Sequence, residues 1–166
     1  MEQRPEVLMK ARQLGARYAC NAMLFGLFCA FWIIVGLTGS QGLADMIGDS
    51  PAQTLICVVM GPWLAHRCGA WAGPKVLLHG WNALLTSFCT GIISVAATTL
   101  AFSLVAFIEE GWPGEGSFTE AVLDYIGKPM FWVFVMGTFP ILLASAGMAF
   151  AFRMARKRIN AGSIMQ

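Results

Sequence analysis

Residues 81–108 read WNALLTSFCTGIISVAATTLAFSLVAFI, and from Val76 to Ile108 the chain carries no Asp, Glu, Lys or Arg. An α-helix rises about 1.5 Å per residue, so this stretch more than covers a hydrocarbon core of roughly 30 Å. A charge-free run of that length reads as a membrane-spanning helix. Three weaker stretches fall into place around it.

Composition agrees. The 166 residues are 57% hydrophobic and 12% charged, whereas a soluble domain carries about 25% charge. A net charge of +2 gives no reason to expect a nucleic-acid partner. The five cysteines, Cys20, Cys29, Cys57, Cys68 and Cys89, are odd in number and form no C-x-x-C pair. They make neither a disulfide framework nor a zinc spacing, and they read as small apolar packing residues.

Upstream, residues 1–17 carry Arg4, Lys10, Arg12 and Arg17. Val7, Ala11, Leu14 and Tyr18 share one helical face. This segment reads as a short amphipathic helix on the membrane surface, leading into a first span over about 18–38. The run from Tyr18 is too long for a signal-peptide core, and no clean A-x-A site follows it. Residues 39–53, GSQGLADMIGDSPAQ, have loop chemistry. A second span covers about 51–70, opened by Pro51 and kinked at Gly61-Pro62. The connector Cys68–Gly80 turns at Gly73-Pro74. The third span covers about 82–108. Beyond it, Ser117 and Glu120 have the spacing of a capping box for a short outer helix, Phe118–Ile126, with Gly127 as its stop. A fourth span covers about 129–152, and 153–166 form a basic tail.

The expected fold is therefore all-α: a four-helix bundle in the membrane, residues 18–152, with a short N-terminal amphipathic helix and a short helix on the outer face. Placing both termini and the 68–80 connector on one side gathers every Lys and Arg there except Lys128. The opposite side then holds every acid except Glu2 and Glu6. The positive-inside rule puts both termini in the cytoplasm of a bacterial inner membrane. Tyr18, Trp71 and Trp81 fall at the inner boundary, and Trp112, Tyr125 and Trp132 at the outer one.

Lipid provides no hydrophobic drive for helix pairing, so small residues mark contacts. The first span offers Ala19, Ala22, Gly26, Cys29 and Gly36. The third offers Ser87, Gly91, Ser94, Thr98 and Ala101. The fourth offers Gly137, Pro140, Ala144, Gly147 and Ala151. On this reading Gly26, Gly91, Ser94, Gly137 and Gly147 are helix-packing positions, and Gly91→Leu or Gly147→Leu destabilises the bundle.

No Asp, Glu, Lys or Arg lies deep in a span, which disfavours proton-coupled transport by this chain alone. Asn21, one turn into the first span, is a candidate ligand residue, although an interhelical hydrogen bond is the plainer reading. His66 and His79 both fall near the inner surface, where they could face a haem or serve as interfacial polar residues. The acids of the outer loops read as a solvated face. G-x-S-x-G, H-E-x-x-H, P-loop and dinucleotide patterns are absent from the sequence. The expectation is no catalytic residue, no cofactor and no metal. Expected partners are membrane lipids, with anionic headgroups at the inner face, and other membrane proteins or further copies of the chain.

Four spans, a Gly-rich turn before the third and a helical segment before the fourth give a layout that resembles an uncharacterised family of four-span bacterial membrane proteins. The likeness covers most of the chain. In that turn this chain has GPKVLLHGW in place of an aromatic-Gly run. The resemblance implies a membrane bundle and transfers no functional residue. The function expected is that of an accessory, assembly or interaction subunit, with an oligomeric transporter or channel component as the alternative.

Overall fold

A computed structural model describes residues 5–49, 51–109 and 117–160. Within them the chain is helical, with no strand among the described residues. The elements are α1 (Pro5–Asp49), α2 (Pro51–Leu77), α3 (Ala83–Glu109), α4 (Phe118–Val122), a single π turn (Leu123–Gly127) and α5 (Lys128–Asn160). Three helical stretches are long and apolar enough to cross a membrane: Pro5–Gly42, Ala83–Glu109 and Phe118–Arg158. The second expected span, within α2, is not one of them. Gln53, Thr54, His66, Arg67 and Lys75 dilute its apolar character.

The N-terminal segment is not a separate surface helix. It runs unbroken into the first span, and Ala11, Gly15, Ala16 and Ala19 bury themselves. The expected loop at 39–53 is helical on both sides of one break. Gly39 holds φ 73°, a left-handed conformation open to glycine, and the helix resumes to Asp49. α2 opens at Pro51 as expected, but it does not end at Gly73-Pro74. Both Pro62 and Pro74 lie inside it, and the turn comes at 78–80. There the Pro74 carbonyl accepts from the amides of Leu78 (2.9 Å) and His79 (3.2 Å). Gly80, at φ 72°, lets the Trp81 amide reach back to the Lys75 carbonyl (3.0 Å). Asn82 then starts α3, its Oδ1 accepting from the amides of Leu84 (3.0 Å) and Leu85 (3.3 Å).

The capping box forms as the spacing predicts. Ser117 Oγ accepts from the Glu120 amide (3.3 Å), and Glu120 Oε2 accepts from the Ser117 amide (3.1 Å). Gly127 is not a stop. The π turn carries the chain directly into α5, with the Lys128 amide bonded to the Leu123 carbonyl. Pro129 explains the wide turn. An α-helical turn would drive its ring into the Tyr125 carbonyl, and one extra residue relieves that clash. Trp112, Glu110 and Glu115, assigned to the outer boundary and outer acidic face, lie outside the described residues.

The apolar core sits at the end holding the start of α1 and the end of α5. Ala11 and Ala19 of α1, Ala65, Val76 and Leu77 of α2, and Met148, Phe152 and Ala155 of α5 form one cluster. Phe152 is fully buried and meets Tyr18 edge to face at 5.6 Å, a pairing worth about 0.5–1.5 kcal/mol beyond area burial. At the other end Phe107 of α3 packs on Phe118 and Tyr125, tying α4 and the π turn to α3.

Candidate functional site: the basic end of the α1–α2 seam

Small residues at four-residue spacing line the facing sides of α1 and α2. Ala11, Gly15 and Ala19 meet Ala65, Gly69 and Gly73. The backbones touch. A Cβ built on Gly15 would collide with the Gly69 carbonyl oxygen and stand 2.6 Å from the Gly73 Cα. One on Gly69 would strike the Ala19 side chain and the Gly15 carbonyl, and one on Gly73 would strike the Ala11 carbonyl. This is the small-xxx-small contact that lets helices approach without side chains between them. The contact is hidden in the sequence because residues 1–17 read as a surface helix and 68–80 as a connector. The signal was the recurrence of 11, 15, 19 and of 61, 65, 69, 73.

Of the expected packing glycines, Gly91 does meet a neighbour: its Cβ would stand 3.3 Å from both Ile141 and Ser145 of α5. Ser94 is buried. Gly137 would touch only Val133 and Ile141 of its own helix. At Gly26 and Gly147 the expected contact is not found among the described residues: a Cβ on either meets nothing within 4 Å.

The α3 face that packs inward is built from hydroxyls: Thr86, Ser87, Thr90, Ser94, Thr98, Thr99 and Ser103 are all buried. Three threonines return their hydroxyls to the helix: Thr90 to the Thr86 carbonyl (2.7 Å), Thr98 to Ser94 (2.8 Å) and Thr99 to Val95 (2.9 Å). Ser87, Ser94 and Ser103, at most 2% exposed, have hydroxyls with no partner. α3 therefore carries a buried stripe of hydroxyls.

The close α1–α2 approach brings polar side chains together along one flank of the seam. Gln13, Arg17, Cys20 and Asn21 of α1 and His66 of α2 line a shallow groove of about 300 Å³. Asn21 is exposed in this groove and makes no hydrogen bond to another helix among the described residues. Arg67, next along α2, is turned away onto the Trp63 ring at 5.4 Å. A second groove, of about 340 Å³ between α1 and α5, is lined mainly by Leu14, Tyr18, Phe150 and Met154, with Arg158 at its edge.

His79 does not join His66. Its Nδ1 lies 3.1 Å from the Pro74 carbonyl on the α2–α3 turn, and thirteen residues of largely helical chain put the two roughly 20 Å apart along the axis. A haem held between them does not fit that separation. Among the described residues no three His, Cys, Asp or Glu side chains gather as a metal site, and the five cysteines are unpaired. Near His79 the turn is braced differently. Lys75 Nζ sits over Trp81 (4.7 Å) and Trp71 (5.4 Å), whose rings meet edge to face at 6.0 Å. Arg156 of α5 lies against Gly80, 3.3 Å from where a Cβ would be.

Comparison with known proteins adds no relative: no family model, curated protein or solved structure matches the chain.

Proposed function

We propose that the chain is a four-span protein of the bacterial inner membrane, with both termini cytoplasmic, that acts as an accessory, assembly or interaction subunit without chemistry of its own. α2 is the fourth span on this reading. It lies antiparallel along α1 and shares its seam, and its polar residues His66, Arg67 and Lys75 fall at the basic end. The layout is that of the uncharacterised four-span family it resembles.

One observation carries the interaction role. None of the apolar window of α1 is buried within the chain, and Gly26 and Gly36 sit in it with open space over them, beside Phe25, Phe28, Phe31 and Trp32. Small residues in a span that contact nothing inside their own protein are suited to a helix approaching from outside. Gly147 on α5 is a third such position.

Purification into nanodiscs followed by mass determination tests this. The reading predicts a particle whose protein, apart from the nanodisc scaffold, amounts to more than one 18.0 kDa chain, and loss of that added protein in Gly26→Leu without a change in thermal stability. A lone chain in every preparation would contradict it. The buried hydroxyl line of α3 favours the alternative, an oligomeric transporter or channel component. Solute flux in liposomes holding only the purified chain would select that alternative.

A further inference from the structure

The groove on the α1–α2 seam has a chemistry of its own, and we propose that it is a phosphate-group site, occupied by the headgroup of an anionic phospholipid. Its donors suit that ligand. Arg17 supplies a permanently charged guanidinium, His66 a ring N–H, and Gln13 and Asn21 amide N–H groups. Arginine forks match phosphate oxygens with two parallel hydrogen bonds. Arg17 is the one formally charged residue of the five, and among the described residues no carboxylate lines the groove to compete with an anion.

Position supports the assignment. Arg17 and His66 line one groove from the two helices, next to Ala19, Ala65 and Gly69 of the seam, where the backbone contact fixes the spacing of the two helices. Substituents flanking a seam of touching backbones are held more closely than side chains on separately moving helices. Cys20 and Asn21 close the groove toward the apolar part of α1, which leads directly into the span. A lipid phosphate held by Arg17 would thus have its acyl chains running along exposed Leu24, Phe25 and Phe28. Arg67, engaged with Trp63, leaves the groove's selectivity to Arg17 and His66.

The lipid as source rests on the membrane reading above; the phosphate chemistry does not. The chain holds two histidines, one in the groove and one on the turn outside it, so ring resonances of His66 and His79 give a reporter and an internal control. The purified full chain is titrated in neutral micelles with phosphatidylglycerol, with phosphatidylcholine, and separately with inorganic phosphate. The proposal expects His66 to shift with phosphatidylglycerol and much less with phosphatidylcholine, while His79 stays. Arg17→Ala should weaken the response about tenfold or more, the loss of a charge-assisted hydrogen bond, and Arg153→Ala, on exposed α5 surface, should not. A His66 response to millimolar inorganic phosphate with no preference for phosphatidylglycerol would keep the site but make a soluble phosphate its ligand. Equal movement of both histidines, or an undiminished response in Arg17→Ala with its His79 signal unchanged, would overturn the proposal. Alkaline carbonate extraction of cell membranes separates the two readings. A chain that stays in the pellet without a His66 response loses the site alone. A chain that is extracted loses the membrane reading, and the inorganic-phosphate arm then decides the site.

Discussion

A single methyl group probes the α1–α2 seam. At Gly15 and Gly73 the obstacles to a Cβ are backbone atoms, and at Gly69 they are the Ala19 Cβ and the Gly15 carbonyl, none of which can swing aside. Gly15→Ala or Gly69→Ala should therefore lower the unfolding temperature in detergent, at a cost of about 1–3 kcal/mol typical of overpacking. Gly26→Ala and Gly147→Ala meet open space and should leave stability unchanged or raise it by up to about 1 kcal/mol, the helix preference of Ala over Gly. The sequence-based expectation that Gly147→Leu destabilises the bundle reverses accordingly. A second residue-scale test lies in α3. Ser94 Oγ is buried without a partner, and such a group carries a desolvation penalty of about 1–3 kcal/mol. Ser94→Ala should be neutral or stabilising, whereas Ser94→Leu should destabilise, because the hydroxyl's volume is needed small rather than polar. Strong destabilisation by Ser94→Ala would show that the hydroxyl has a partner. Which glycines touch was only half legible. Four-residue spacing of small residues recurs in several helices, and it does not tell an inward face from an outward one. Gly91 and Gly26 look alike in sequence and differ in what stands over them.

Elements were legible where a local signal had one structural solution. Ser117 and Glu120 forecast a capping box, and it forms with both hydrogen bonds. Ser117→Ala should cost about 1 kcal/mol, read as faster amide exchange across 118–127 with α3 unaffected. Signals with two solutions misled. Gly127 reads as a helix stop, but Pro129 two residues later makes a π turn the easier continuation. Gly73-Pro74 reads as a turn, but Gly73 is needed bare against Ala11, so the helix continues through it to Leu77. The true α2–α3 turn is fastened by Lys75 between Trp71 and Trp81. Each cation–aromatic contact at an exposed site is worth about 0.5–1 kcal/mol. Trp81→Leu should accordingly increase amide exchange at 78–84 without lowering the stability of the α1–α2 seam.

At the scale of the whole molecule, charge was the most readable property. The described basic residues from Lys10 to Lys75 and from Arg153 to Arg158 gather at the end with both helix termini and the α2–α3 turn. The one outlying cation, Lys128, pairs with Asp124 at 2.6 Å on the exposed far end. The apolar character of α1, α3 and α5 was equally plain. What sequence could not settle was the status of α2, whose polar residues belong to the seam and the basic end. The four-span proposal stands on α2 crossing the membrane, which would put the two ends of the helices on opposite sides. The direct measurement is labelling by a membrane-impermeant maleimide in a chain freed of its native cysteines, with single cysteines at the exposed positions Asp49, His79, Glu109 and Arg158. With α2 as a span, Asp49→Cys and Glu109→Cys are labelled from outside intact cells, and His79→Cys and Arg158→Cys only after permeabilisation. Labelling of Asp49→Cys and His79→Cys from the same side would show that α2 does not cross.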